Sequence, residues 1–95
     1  MTTNKTGEKM IRAVEVKEAF MGNALGKKVL LLCANYFYYG TLTGVNKSRV
    51  ELTDPSIVYE TGAWTGTKWQ DAQALPAKTI EVRIPMIESW IVVDR

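Results

Sequence analysis

The chain has 95 residues, 46% of them hydrophobic, and twelve basic against ten acidic side chains give a net charge of +2. That is chain enough for one domain, too apolar for disorder, and too evenly charged for the overall field to name a partner. Histidine is absent and Cys33 is the single cysteine, which removes the commonest general base and zinc ligand and excludes an intrachain disulfide.

Met1 to Lys9 is rich in Thr, Lys and Gly and reads as a loose tail ahead of one domain over residues 10–95. No apolar segment follows it of the kind a secretory signal carries, and no run is long enough to span a bilayer. With one cysteine, the expectation is a cytoplasmic protein. Met10 to Val16 fits strand and helix equally. Lys17 to Leu25 reads as a short helix, with Ala19, Phe20 and Ala24 near helical spacing and Gly26 as its stop.

After Gly26 the texture changes to strands. Lys27 to Ala34 is a continuous apolar run behind two lysines, the pattern of a strand covered on both faces. Asn35 turns the chain into Tyr36 to Val45, an aromatic and β-branched strand with Gly40 at its middle. A glycine there weakens a strand unless the strand bends or another backbone comes close. Asn46-Lys47-Ser48 is a polar turn, and Arg49 to Thr53 alternates with Val50 and Leu52 inward. Asp54-Pro55 interrupts, and Ser56 to Thr61 continues as strand. Residues 62–78 show no period and form a long connection between the third and fourth strands, with a hairpin turn expected near Thr65-Gly66. Thr79 to Ile84 alternates as a half-buried strand, Pro85 ends it, and Ile87 to Val93 is the last strand. The expected architecture is mainly β: a short helix, then a small, strongly bent antiparallel barrel of about five strands, closed to remove exposed edges.

The span from Leu25 to Asp54 carries a resemblance. A Leu25-Gly26 pair ends the helix, and a strand with apolar Val29, Leu31 and Cys33 follows. Next come Tyr38-x-Gly40-x-Leu42, a polar turn, and Val50-x-Leu52. This pattern resembles the first motif of the Sm and Sm-like family, and the strands Thr79 to Ile84 and Ile87 to Val93 resemble its second. SH3-like and OB barrels also place a glycine in a bent strand. The resemblance implies an SH3-like (Sm-like) barrel that assembles into rings and holds single-stranded RNA near the pore. On that basis Asn46, Lys47, Arg49 and Arg83 are the expected RNA-binding residues. The turn departs from the family pattern: Asn46 stands where an Asp is expected, with no stacking residue and no second Asn after it. Ile84-Pro85-Met86 replaces the glycine turn that follows the family's arginine.

The last strand raises a separate expectation. Ile87, Trp90, Ile91, Val92 and Val93 leave little alternation, so both faces of this strand should be covered and its edge paired. The resemblance implies the means, pairing of the fifth strand of one copy with the fourth of the next. The expected product is a cyclic homo-oligomer of roughly five to seven copies, with Ile80, Val82, Ile91 and Val93 at the interface.

Scattered carboxylates, the lack of histidine and the lack of a glycine-rich phosphate loop argue against catalysis, a metal site or a cofactor. Trp64 and Trp69 lie in the long connection, where an exposed indole would stack a base or grip a partner. The ordinary alternative is that both fold down over apolar surface. The competing functional class is a scaffolding ring that captures a protein through the 62–78 loop, without nucleic acid.

Overall fold

The computed structural model describes residues 21–95. The expected tail, the ambiguous segment from Met10 and the first four residues of the helix expected from Lys17 lie outside the described residues. Within them, the helical content ahead of the strands is one 3-10 turn, Gly22–Ala24, which buries Ala24 and whose preceding residue, Met21, is buried too.

Six strands follow: β1 (Lys28–Cys33), β2 (Phe37–Val45), β3 (Arg49–Glu60), β4 (Asp71–Ala74), β5 (Thr79–Arg83) and β6 (Ile87–Val92). They form one antiparallel sheet in the order β4-β3-β2-β1-β6, with β5 also on β3. The strand beyond the expected five is β4, which lies inside the long connection. Its sequence, Asp71-Ala72-Gln73-Ala74, is exposed throughout and has no apolar alternation to announce it. The sheet does not close on itself. Among the described residues β5 pairs only with β3 and β6 only with β1.

The layout turns on β3. Along one edge it pairs with β2 from Val50 to Val58; along the other it pairs first with β5 and then with β4. The change of partner falls at Asp54-Pro55. Tyr39 pairs with Ser56 and Thr41 with Thr53, so Gly40 alone faces both Asp54 and Pro55 across the ladder. That is a β-bulge, and Asp54 adopts the left-handed φ of 52° that bends the strand. The sequence interruption at Asp54-Pro55 is therefore a bend within one strand. Asp54 is held there by a bond from its N–H to the Lys78 carbonyl at 2.9 Å, and the buried Pro55 offers its carbonyl to the Leu75 N–H.

Gly40 makes the bend fit. A Cβ at this position would lie 3.0 Å from the Thr53 carbonyl oxygen, 3.2 Å from Leu52 Cβ and 3.4 Å from Pro55 Cα. All three are anchored near the backbone and none can swing aside.

Val29, Leu31, Cys33, Leu42, Val45, Val50, Leu52 and Val82 form the buried core inside the bent sheet. Leu30 points to the other face and is equally inaccessible, so the unbroken apolar run of β1 is covered on both sides as expected. β6 differs: Trp90 and Ile87 pack on the core, while Ile91 and Val92 remain 39% and 46% exposed. Full cover for these two side chains is not supplied by the described residues.

Replacing Gly40 with alanine should cost about 1–3 kcal/mol through overpacking against backbone. Chemical denaturation should show the midpoint falling with the m-value unchanged, and valine should cost more. An alanine variant as stable as the parent would contradict the close approach assigned to Gly40.

Candidate functional site

The β2–β3 turn is built around Asn46, a side chain only 3% exposed. Its Oδ1 accepts hydrogen bonds from the Ser48 N–H at 2.8 Å, the Arg49 N–H at 2.9 Å and the Ser48 hydroxyl at 3.3 Å. The Asn46 N–H donates to the Arg49 carbonyl at 3.0 Å, closing the hairpin above the Val45–Val50 pair. An Asn that turns back on the following backbone is a familiar device, and burial makes its carbonyl oxygen valuable there. The sequence expectation had Asn46 facing a base; the geometry gives its Oδ1 to the turn.

The same turn anchors the corner between β5 and β6. Ser48 offers its carbonyl to the Ile84 N–H at 2.9 Å, so the 3-10 turn Ile84–Met86 is tied to the β2–β3 hairpin. That tie brings together Arg49 and Arg83, residues distant in sequence. They sit directly opposite each other across the β3–β5 ladder, as do Glu51 and Glu81. Like charges in register repel, and diagonal pairing relieves them: Arg49 Nε lies 2.8 Å from Glu81 Oε1. Both partners are partly exposed, so this ion pair orients Arg49 more than it stabilises the fold. Glu51 turns instead to the Thr43 hydroxyl, which donates to its Oε1 at 2.8 Å and shares a bond with the Thr53 hydroxyl at 2.9 Å.

Ser48, Arg49, Glu81, Arg83 and Pro85 line a solvent-open cleft of about 530 Å³. Lys47, exposed, precedes Ser48 in the turn. Of the expected RNA-binding residues, then, Arg49 and Arg83 are brought together in one cleft, Lys47 is exposed on the adjoining turn, and Asn46 holds the frame.

A second cleft, of about 350 Å³, runs beside β5 and is mainly apolar, with Cys33, Tyr38, Leu75, Ile80, Val82 and Met86 among its lining residues. Of the expected interface residues, Val82 is core and Ile80 packs partly against it, whereas Ile91 is exposed and Val93 half-buried. Burial pushes the Cys33 thiol above its usual range, and Glu88 adds to the effect. Cys33 is accordingly a poor nucleophile. Among the described residues no cluster of His, Cys, Asp and Glu has the geometry to hold a metal ion, and no helix is long and apolar enough to cross a membrane.

The two loop tryptophans part company. Trp64 is 56% exposed. Trp69 is half-buried, edge-on to Tyr39 with ring centroids 5.4 Å apart, and the Arg95 guanidinium lies 3.9 Å from its ring centre. One indole is thus open to a partner, and the other is consumed by packing. Sequence reasoning missed Arg95 and Tyr39 in this role, because nothing local links residues so far apart. A further exposed aromatic group, Tyr36 with Tyr59, meets edge to face at 6.4 Å at the far end of β2 and β3.

Comparison with protein-family models, with curated proteins and with solved structures gives no match for this chain.

Asn46→Ala leaves two turn N–H groups without their acceptor and should destabilise the fold by about 1–3 kcal/mol. Ser48→Ala, which keeps the backbone bonds, should cost much less. Thermal melts of both variants check the assignment, and equal melting temperatures for Asn46→Ala and the parent would contradict it.

Proposed function

We propose that the chain is a non-catalytic, Sm-like module that assembles through its β5 and β6 edges and binds single-stranded RNA at the Arg49–Arg83 cleft. The observation that carries this reading is the open sheet. β5 and β6 are joined by a single 3-10 turn, yet among the described residues each is paired along one edge only, and β6 leaves Ile91 and Val92 exposed. An unpaired edge with apolar side chains beside it is a template for another strand. Pairing β6 of one copy with β5 of the next would complete the barrel expected from the sequence and lay apolar residues toward the cleft beside β5. Such a contact is heterologous and closes into a ring when the rotation allows.

The RNA part rests on charge. Two arginines are held in register, Arg49 paired diagonally with Glu81, where β3 leaves the turn that carries exposed Lys47. Phosphate oxygens satisfy such a pair bidentately, which a like-charged neighbour cannot do. Each copy would supply one weak contact, and a ring would multiply it. A buried cysteine fits a cytoplasmic setting. The scaffolding reading draws on the exposure of Trp64, and it predicts a ring that binds no RNA.

Fluorescence anisotropy with a short unstructured RNA tests the proposal. Binding should weaken with salt, and Arg83→Ala or Arg49→Ala should lower the slope of log K against log salt by about 0.7 for each phosphate left without its arginine. Ile91→Lys should lower both assembly mass and RNA affinity. RNA affinity untouched by either arginine substitution would sink the cleft assignment, and a ring without RNA affinity would favour the scaffold.

A further inference from the structure

The loop over residues 62–70 has a feature unrelated to the cleft or the β5 edge. Three of its backbone carbonyls converge on one guanidinium. Arg95 Nη1 donates to the Lys68 carbonyl at 3.1 Å and the Ala63 carbonyl at 3.5 Å, and Nη2 donates to the Trp64 carbonyl at 3.3 Å. The guanidinium also sits 3.9 Å from the centre of the Trp69 ring. The Tyr39 hydroxyl donates to the Arg95 carbonyl, fixing the backbone from which the side chain reaches.

The loop is shaped for this occupant. The Gly66 N–H bonds the Ala63 carbonyl at 2.9 Å, curling the loop so that its carbonyls point to one side. A Cβ on Gly66 would lie 3.1 Å from the Ala63 oxygen and 3.6 Å from Arg95 Nη1, so a larger side chain there would intrude on the seat. Several acceptors spread around a flat space, with a ring face on one side, match a planar fork of N–H donors. A compact ammonium lacks the fork that spreads its donors over two nitrogens while the plane lies on a ring. The Trp69 indole N–H is itself buried without an acceptor among the described residues, so ring contacts hold it in place.

We infer that residues 63–69 form a receptor for a guanidinium group, filled from within the chain by Arg95 and open to displacement by an arginine side chain of another polypeptide. Displacement would free Arg95 and change the surroundings of Trp69 and of the exposed Trp64. The receptor lies outside the Arg49–Arg83 cleft and does not depend on the RNA reading; Trp64, Gly66 and Arg95 share a hollow with Ile91, Val92 and Val93, and the arginine probe reads the seat whether or not the chain assembles.

The test uses the full chain labelled with ¹⁵N and follows the three indole N–H signals, with Trp90 as an internal reference for the fold. Arg95→Ala should move the Trp69 signal and leave Trp90 in place. Adding N-acetylarginine amide to that variant should return the Trp69 signal toward its parent position along a saturable curve. N-acetyllysine amide at equal ionic strength should not. The parent, whose seat is already filled at high effective concentration, should need roughly tenfold more of the arginine probe or beyond. In Arg95→Ala/Gly66→Val the response should disappear. The proposal falls if the arginine and lysine probes act alike, if Trp90 moves with Trp69, or if the double variant still responds.

Discussion

Gly40 faces the Asp54-Pro55 bulge at backbone distance, and the rest of the structure depends on that approach. With a Cβ only 3.0 Å from the Thr53 oxygen excluded, β2 and β3 can stay paired through a bend that would otherwise pull them apart. The bend lets a single strand serve β5 with one half and β4 with the other. It also curls the sheet around Leu31, Leu42, Val50 and Leu52, so a short chain encloses a core. Without it, β5 would not lie where its turn can bond Ser48, and Arg83 would not meet Arg49.

Much of this was legible in the sequence, for identifiable reasons. The apolar run of β1 announced burial on both faces, and Leu30 and Leu31 are both inaccessible. The alternation of Thr79 to Ile84 and the glycine at position 40 announced a half-buried strand and a bend. β4 was hidden because Asp71 to Ala74 pairs through backbone alone, with side chains that carry no pattern. Asp54-Pro55 read as a break because a strand rarely tolerates that pair; a bulge accommodates it, since Asp reaches a left-handed φ at modest cost.

The site was harder to read than the fold. The family resemblance suggested a ligand contact for Asn46, and the structure gives its Oδ1 three bonds within the hairpin. Arg49 and Arg83 were named from a motif, and the ladder places them directly opposite each other, with Glu81 paired to Arg49. Trp69 and Arg95 illustrate the limit: their contact spans the loop and the end of the sheet, and no local spacing encodes it. What links these observations is that backbone carbonyls and N–H groups, invisible in composition, do most of the positioning.

Fold and proposed function meet at the two unpaired edges. β5 and β6 leave the core through one short turn and present an apolar cleft and an apolar strand that no described element covers. That is unfavourable, because exposed Ile91 and Val92 forgo burial and the edge N–H groups have no strand partner among the described residues. The proposed resolution is another copy of the same chain. Native mass spectrometry of the unmodified protein, after nuclease treatment and over a range of concentrations, tests this most directly. The expected result is one closed oligomer of fixed stoichiometry that persists on dilution, and a protein that remains monomeric at every concentration would contradict it.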